Sequence, residues 1–308
     1  MFGLEIVDLI RAMPGSVAQG LIWGIMAIGV YITFKILDFA DLTVDGSLAL
    51  GGAVAVMLIL NGYPPYVVLI VSFISGILAG LVTGLLHTAL GIPDILAGIL
   101  TQIALYSINL NIMGKSNQAV SVDRYNLVIS LRYISHAILV GVIFLIVIIA
   151  ILYWYFGTEQ GFTIRATGCN ENMARAQGIS TSKSKVLGLA LSNGLVGLSG
   201  GLIAQYQGNA DVNMGRGAIV IGLAAVIIGE VIGNALLGKY MNFALKLLFA
   251  AIGAIIYYAV ITFVLWLGLP SQDMKLFSAI VVALFLAVPY LKNKYSTSFA
   301  KAAKKGAE

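Results

Sequence analysis

Ala137–Phe156 reads AILVGVIFLIVIIAILYWYF, a run without a single charge. Coiled as an α-helix at 1.5 Å per residue, twenty residues span about 30 Å, the thickness of a bilayer's hydrocarbon layer. A helix apolar on every side needs either a large core or lipid around it. The rest of the chain has little polar surface to hide one: of 308 residues, 60% are hydrophobic and 10% charged, against roughly 25% charged in an ordinary soluble domain. Helices satisfy their own backbone hydrogen bonds and can therefore cross lipid. The fold class is an all-α polytopic membrane protein.

Working outward from that run, nine spans are predicted, at about 15–36, 46–62, 64–88, 93–112, 137–156, 184–206, 217–238, 242–267 and 274–291. The first is too long and too lightly flanked by basic residues for a cleaved signal peptide. Residues 1–13 carry Glu5, Asp8 and Arg11 among aliphatics and are expected to form a short interfacial helix. No Pro- or Ser-rich linker divides the chain, so 1–308 is read as one membrane domain. An odd span count puts the termini on opposite sides. With the C-terminus inside, the cytoplasmic segments gather twelve of the eighteen Lys and Arg, as the positive-inside rule demands. The basic tail, 292–308, then faces the cytoplasm and touches anionic lipid. The net charge of +5 reflects this asymmetry, not nucleic-acid binding.

Between the fifth and sixth spans lies RATGCNENMARAQGI, Arg165 to Ile179, polar and charged among apolar neighbours. Residues 160–183 are read as a cytoplasmic coupling loop, a handle offered to a soluble partner. A repeat is also expected. ADLTVDGSLALGGAVAV begins at Ala40 and ADVNMGRGAIVIGLAAV begins at Ala210. An odd number of spans separates the two, which makes the repeat inverted, as in many transporters. Glycines four apart, at Gly76, Gly80 and Gly84 and at Gly197 and Gly201, mark helices that pack backbone to backbone.

Catalytic chemistry has little to work with. Cys169 is the only cysteine, and His87 and His136 stand apart with no carboxylate cluster, so no catalytic residue and no metal site is expected. Gly233–Lys239 and Asn109–Ser116 approach a phosphate-binding loop, but the first lacks its Ser or Thr and the second its leading Gly. Neither follows a strand. Ionisable and amide groups near or within the spans are the remaining candidates, because hydrocarbon tolerates them only against protein or water. They are Asp41, Asp45, Asp94, Gln102, Asn193, Asp211 and Glu230. For Glu230, within AAVIIGEVIGNALLG, a pathway role and a buried structural hydrogen bond both stand. The Asp residues at span ends also suit helix capping.

The segment 165–179 resembles the coupling loop of ATP-binding-cassette importer permeases, whose pattern is roughly R-A-x-G-x-N-x-x-A-A-x-x-x-G-I. Arg165, Gly168, Asn170, Ala174, Gly178 and Ile179 keep its spacing. Asp41–Ser47 is similar to their D-L-S-V-G-S element with Asp45 inserted, and Gly91-Ile92-Pro93 to their G-I-P-P-F-I-V-T-L stretch. The nearest group is the branched-chain amino acid and ribose (monosaccharide) permeases, and the departures at Asp45, Asp94 and Gly98 look like the branch assigned to aromatic amino acids. The resemblance implies a vitamin-B12-permease-like (type II importer) arrangement in a prokaryotic plasma membrane. It further implies a second permease copy, two cytoplasmic ATPase subunits and an extracytoplasmic solute-binding protein. No cofactor is expected on this chain; MgATP would be used by the partner. A sugar or nucleoside as cargo, and a self-sufficient secondary transporter, are the alternatives.

Overall fold

The computed structural model describes residues 6–267 apart from 123, together with 276, 277, 279, 280, 282–284 and 287. It is helical throughout except for one small ribbon. In chain order it has α1 (Ile6–Tyr31), continued by a π-turn over Ile32–Ile36, then α2 (Val44–Leu60), α3 (Pro65–Thr88) and α4 (Asp94–Met113). After the strand β1 (Asn117–Ala119) come α5 (Ile134–Tyr155), α6 (Glu159–Cys169), α7 (Glu171–Ala176) and α8 (Thr181–Gln207). The strand β2 (Asn209–Asp211), α9 (Ala218–Leu237) and α10 (Phe243–Trp266) complete it. β1 and β2 pair antiparallel, with Gln118 opposite Ala210.

Seven of these helices are long and apolar enough to cross a membrane: α1 with its π-turn, α3, α4, α5, α8, α9 and α10. The nine expected spans thus appear as seven, plus the shorter α2 of 17 residues. The ninth, 274–291, lies largely outside the described residues, and the tail 292–308 lies wholly outside them. Of the expected interfacial helix at 1–13, the described part opens α1 without a break. Ends are set by local chemistry. Pro65 opens α3 at a position whose N–H has no helical partner, and Gly114 and Gly208 close α4 and α8 in the left-handed region.

The core is built around α8, which packs on α1, α2 and α3. The glycine pairs do what their spacing suggested. A methyl group added at Gly76 or Gly80 would run into the carbonyls of Asn193 or Leu189 on α8, and one at Gly200 into that of Leu48 on α2. Serines stitch the same helix to α1, with Ser192 donating to the Gly29 carbonyl at 2.7 Å and Ser199 to that of Ile22 at 2.9 Å. These pairings fix direction. α8 runs from the α6–α7 end of the molecule to the ribbon end, α2 runs alongside it, and α1 and α3 run opposite.

Candidate functional site

Two regions gather the sequence's candidates: the α6–α7 end and the middle of the bundle. At the first, Thr158 caps α6, and Arg165 lies over the ring of Phe243 at 4.2 Å and that of Phe156 at 5.4 Å. Arg165 therefore staples α6 to the end of α5 and the start of α10 through cation–π contact. Gly168 sits against the Ile36 carbonyl, where no side chain fits. α7 is pinned at both ends. Asn170 Oδ1 accepts the Met173 N–H at 3.0 Å. The Gly178 N–H reaches the Arg175 carbonyl at 2.9 Å and the Ile179 N–H that of Ala174 at 3.0 Å, closing a Schellman motif on Gly178 at φ 81°. Ala174 faces inward, whereas Asn172, Met173, Arg175 and Ala176 face out, Met173 with 63% of its surface bare.

The six sequence-matched residues of this loop therefore shape it, and its outward surface falls on the positions between them. Sequence reading missed Met173 for that reason. Charge ties α7 to the bundle: Glu171 pairs with Arg175 at 2.6 Å and with Lys185 of α8 at 2.9 Å. The Lys185 hydrogen bond holds the Glu171 carboxyl below its usual range. Lys185 Nζ also donates to His87 Nε2 at 3.3 Å, and His87 Nδ1 donates to the Ile92 carbonyl at 2.9 Å. One continuous polar chain joins α7 to α8, to the end of α3 and to the turn before α4. Asp94 lines a cleft of about 230 Å³ beside it.

In the middle, the chain between the π-turn and α2 passes back into the bundle without helical structure and carries Asp41, which is 2% exposed. Asp41 Oδ1 accepts the Thr43 N–H at 2.9 Å, and its Oδ2 accepts from Asn193 Nδ2 at 2.6 Å, halfway along α8. Asn193 Oδ1 in turn accepts from Ser47 at 2.6 Å, while Thr43, Thr83 and Thr101 link α3 and α4 through their hydroxyls. Asp41 and Asn193 are thus one buried unit.

Asp45 makes a different junction. Its carboxylate accepts the N–H groups of Gly217 at 2.9 Å and Ile219 at 3.0 Å, capping α9 from the first turn of α2. One carboxylate answers the positive ends of two helices. Beside it Gln102, Tyr106, Ser107 and Asn109 of α4 and Arg216 line a cleft of about 350 Å³. Asp45 and Gln102 therefore share one site. The other two candidates lie elsewhere: Asp211 in β2 at the ribbon end, and Glu230 in an exposed ion pair with Lys35 at 2.7 Å.

The family described as "Branched-chain amino acid transport system / permease component" matches residues 13–289. The chain is 39% identical over 287 residues to the tyrosine transport system permease protein of Clostridioides difficile, covering 92% of this chain and 93% of that one. It is 28% identical over 294 residues to the galactofuranose transporter permease of Escherichia coli, covering 94% and 80%. A probable branched-chain amino acid transport permease of Methanocaldococcus jannaschii is 28% identical over 254 residues, covering 74% and 77%. No solved structure matches.

Proposed function

Because this chain belongs to the family of branched-chain amino acid transport permeases, we propose that it is the membrane half of an amino acid importer whose favoured cargo is aromatic. Its role as an ATP-binding-cassette importer permease follows from the family. The aromatic cargo rests on the similarity to the tyrosine permease, which exceeds that to the galactofuranose permease by 39% to 28%. The reading adds two cytoplasmic ATPase subunits that use MgATP, an extracytoplasmic binding protein that delivers the solute, and a second copy of this chain. It places the molecule in a prokaryotic plasma membrane with α6 and α7 inside, the N-terminus outside and the C-terminus inside. Nine spans in a vitamin-B12-permease-like arrangement with an inverted repeat complete it. In support of the repeat, Asp41 and Asp211 each accept the N–H of the residue two further on. α2 and α9 also start together and run to opposite ends of the molecule.

The observation that carries the coupling mechanism is α7: a helix of six residues, fixed at both ends, bare on its outer side and wired by charge to α8 and α3. A partner that seats Met173 in a groove and moves when ATP closes its dimer would push α7. The push passes through Glu171, Lys185 and His87 to α3, α4 and α8, the helices that hold Asp41 and Asn193. Such transmission needs two packings of rigid elements, and rigid-body helix shifts supply them. Glu230, in its exposed pair with Lys35, gives little support to a self-sufficient ion-coupled carrier.

The test is reconstitution of the permease with its ATPase and binding protein in proteoliposomes. Met173→Asp and Gly178→Val should each lower tyrosine uptake and binding-protein-stimulated ATP hydrolysis by about tenfold or more, an order expected when a central interface anchor is lost. Unchanged uptake in both variants would remove α7 from the coupling path.

A further inference from the structure

The cleft between α2, α4 and the turn before α9 contains groups that packing does not account for. Asn109 is 1% exposed, and its Nδ2 reaches the Gly46 carbonyl only at 3.5 Å. Its Oδ1 accepts no hydrogen bond and is one of three such buried side-chain atoms among the described residues. Buried amide oxygens are nearly always answered, so an unanswered one on a residue that lines a cleft marks a place for a donor from outside. Arg216 lines the same cleft, is exposed and makes no ion pair with a described residue. The nearby carboxylate is already committed, since both Asp45 oxygens hold the start of α9. A guanidinium on a cleft wall among membrane-spanning helices requires water or an anionic partner. The α4 wall adds Gln102, Tyr106 and Ser107 beside Ile103, a mixed surface on a helix that lipid alone would have made aliphatic.

We infer that this cleft is a way-station for the cargo inside the permease, holding an α-amino acid with its carboxylate on Arg216, its ammonium on Asn109 Oδ1 and its side chain along Tyr106 and Ile103. This rests on the amino acid reading above and deepens it. A guanidinium matches a carboxylate through paired, charge-assisted hydrogen bonds. Asp45, also on the cleft wall, adds a negative charge that favours the ammonium of the same ligand. A volume of about 350 Å³ lies within the range of small-molecule sites. A sugar carries neither charge and would leave Arg216 unanswered.

Ser107→Cys in a Cys169→Ser background places one thiol on the cleft wall. In nanodiscs holding the complete transporter, its maleimide labelling is timed with L-tyrosine, tyramine, 4-hydroxyphenylpropionate or D-galactose. L-Tyrosine should slow labelling at least about threefold, while tyramine and 4-hydroxyphenylpropionate, each missing one charge, should protect far less. Arg216→Gln should remove the protection and Arg216→Lys restore part of it, with uptake of L-tyrosine falling about tenfold in the Gln variant, as loss of a charged hydrogen bond predicts. Equal protection by tyramine and tyrosine overturns the assignment, and so does L-tyrosine uptake indifferent to Arg216→Gln; both leave the amino acid reading intact. Uptake of D-galactose with none of L-tyrosine overturns that reading itself.

Discussion

Gly178 and Met173 stand five residues apart and fail for different reasons when replaced. Gly178 turns the chain at φ 81° to close α7, a conformation that costs an L-residue about 1–2 kcal/mol, more for a β-branched one. Gly178→Val should therefore loosen α7 itself. Met173→Asp leaves both caps of α7 intact and changes only its bare outer surface. The two are separated by limited proteolysis at 170–180: cleavage should quicken in the Gly178 variant and stay as in the wild type in the Met173 variant. Equal cleavage of all three would show that the glycine does not govern the shape of α7. The same contrast explains what a lone sequence reveals. Gly168, Asn170, Ala174 and Gly178 answer to backbone geometry, which restricts residue type and so leaves a readable spacing. Met173 and Arg216 are exposed and answer to no such geometry, so a lone sequence does not single them out.

At the level of elements, hydropathy located every long helix, because a lipid-depth run has to be apolar whatever it packs against. It also placed α2 to within two residues, 46–62 against Val44–Leu60, but not its surroundings, since the helix is almost wholly buried. Its start at the heart of the bundle depends on Asp41 and Asp45, whose partners lie on α8 and α9, more than 140 positions away. Asp45 then becomes a load shared by two helices. Asp45→Ala strips the cap from α9, and a lost cap costs about 1–2 kcal/mol. The purified permease should melt several degrees lower, with Asp45→Asn losing less because its amide oxygen still accepts. A melting temperature unmoved in Asp45→Ala would mean that the two helix starts are held by packing alone.

For the whole molecule, the opposed ends make a topological prediction. Asn213 is exposed near the ribbon and Met173 at the α7 end. With Cys169 replaced, a cysteine at 213 should react with an impermeant thiol reagent in intact cells, whereas one at 173 should react only after permeabilisation. The reverse pattern would invert the proposed orientation. Thr43 offers no such probe, since its burial is complete. The glycine contacts of α8 carry a consequence of another kind. By drawing α2 and α3 onto α8 with no room for a methyl group between them, they leave no passage along those seams, and the charged cleft opens beside α4 instead. A route along a flank needs a second wall, and we propose that the second copy of the pair packs on α4 and supplies it. Inheritance then behaves differently from that of a self-contained pore. In a cell making equal amounts of wild-type and Arg216→Gln chains, random pairing leaves about a quarter of the pairs with two sound walls. The defective allele should be dominant, pulling uptake well below half. Uptake that falls only in proportion to dilution would mean that each chain conducts alone.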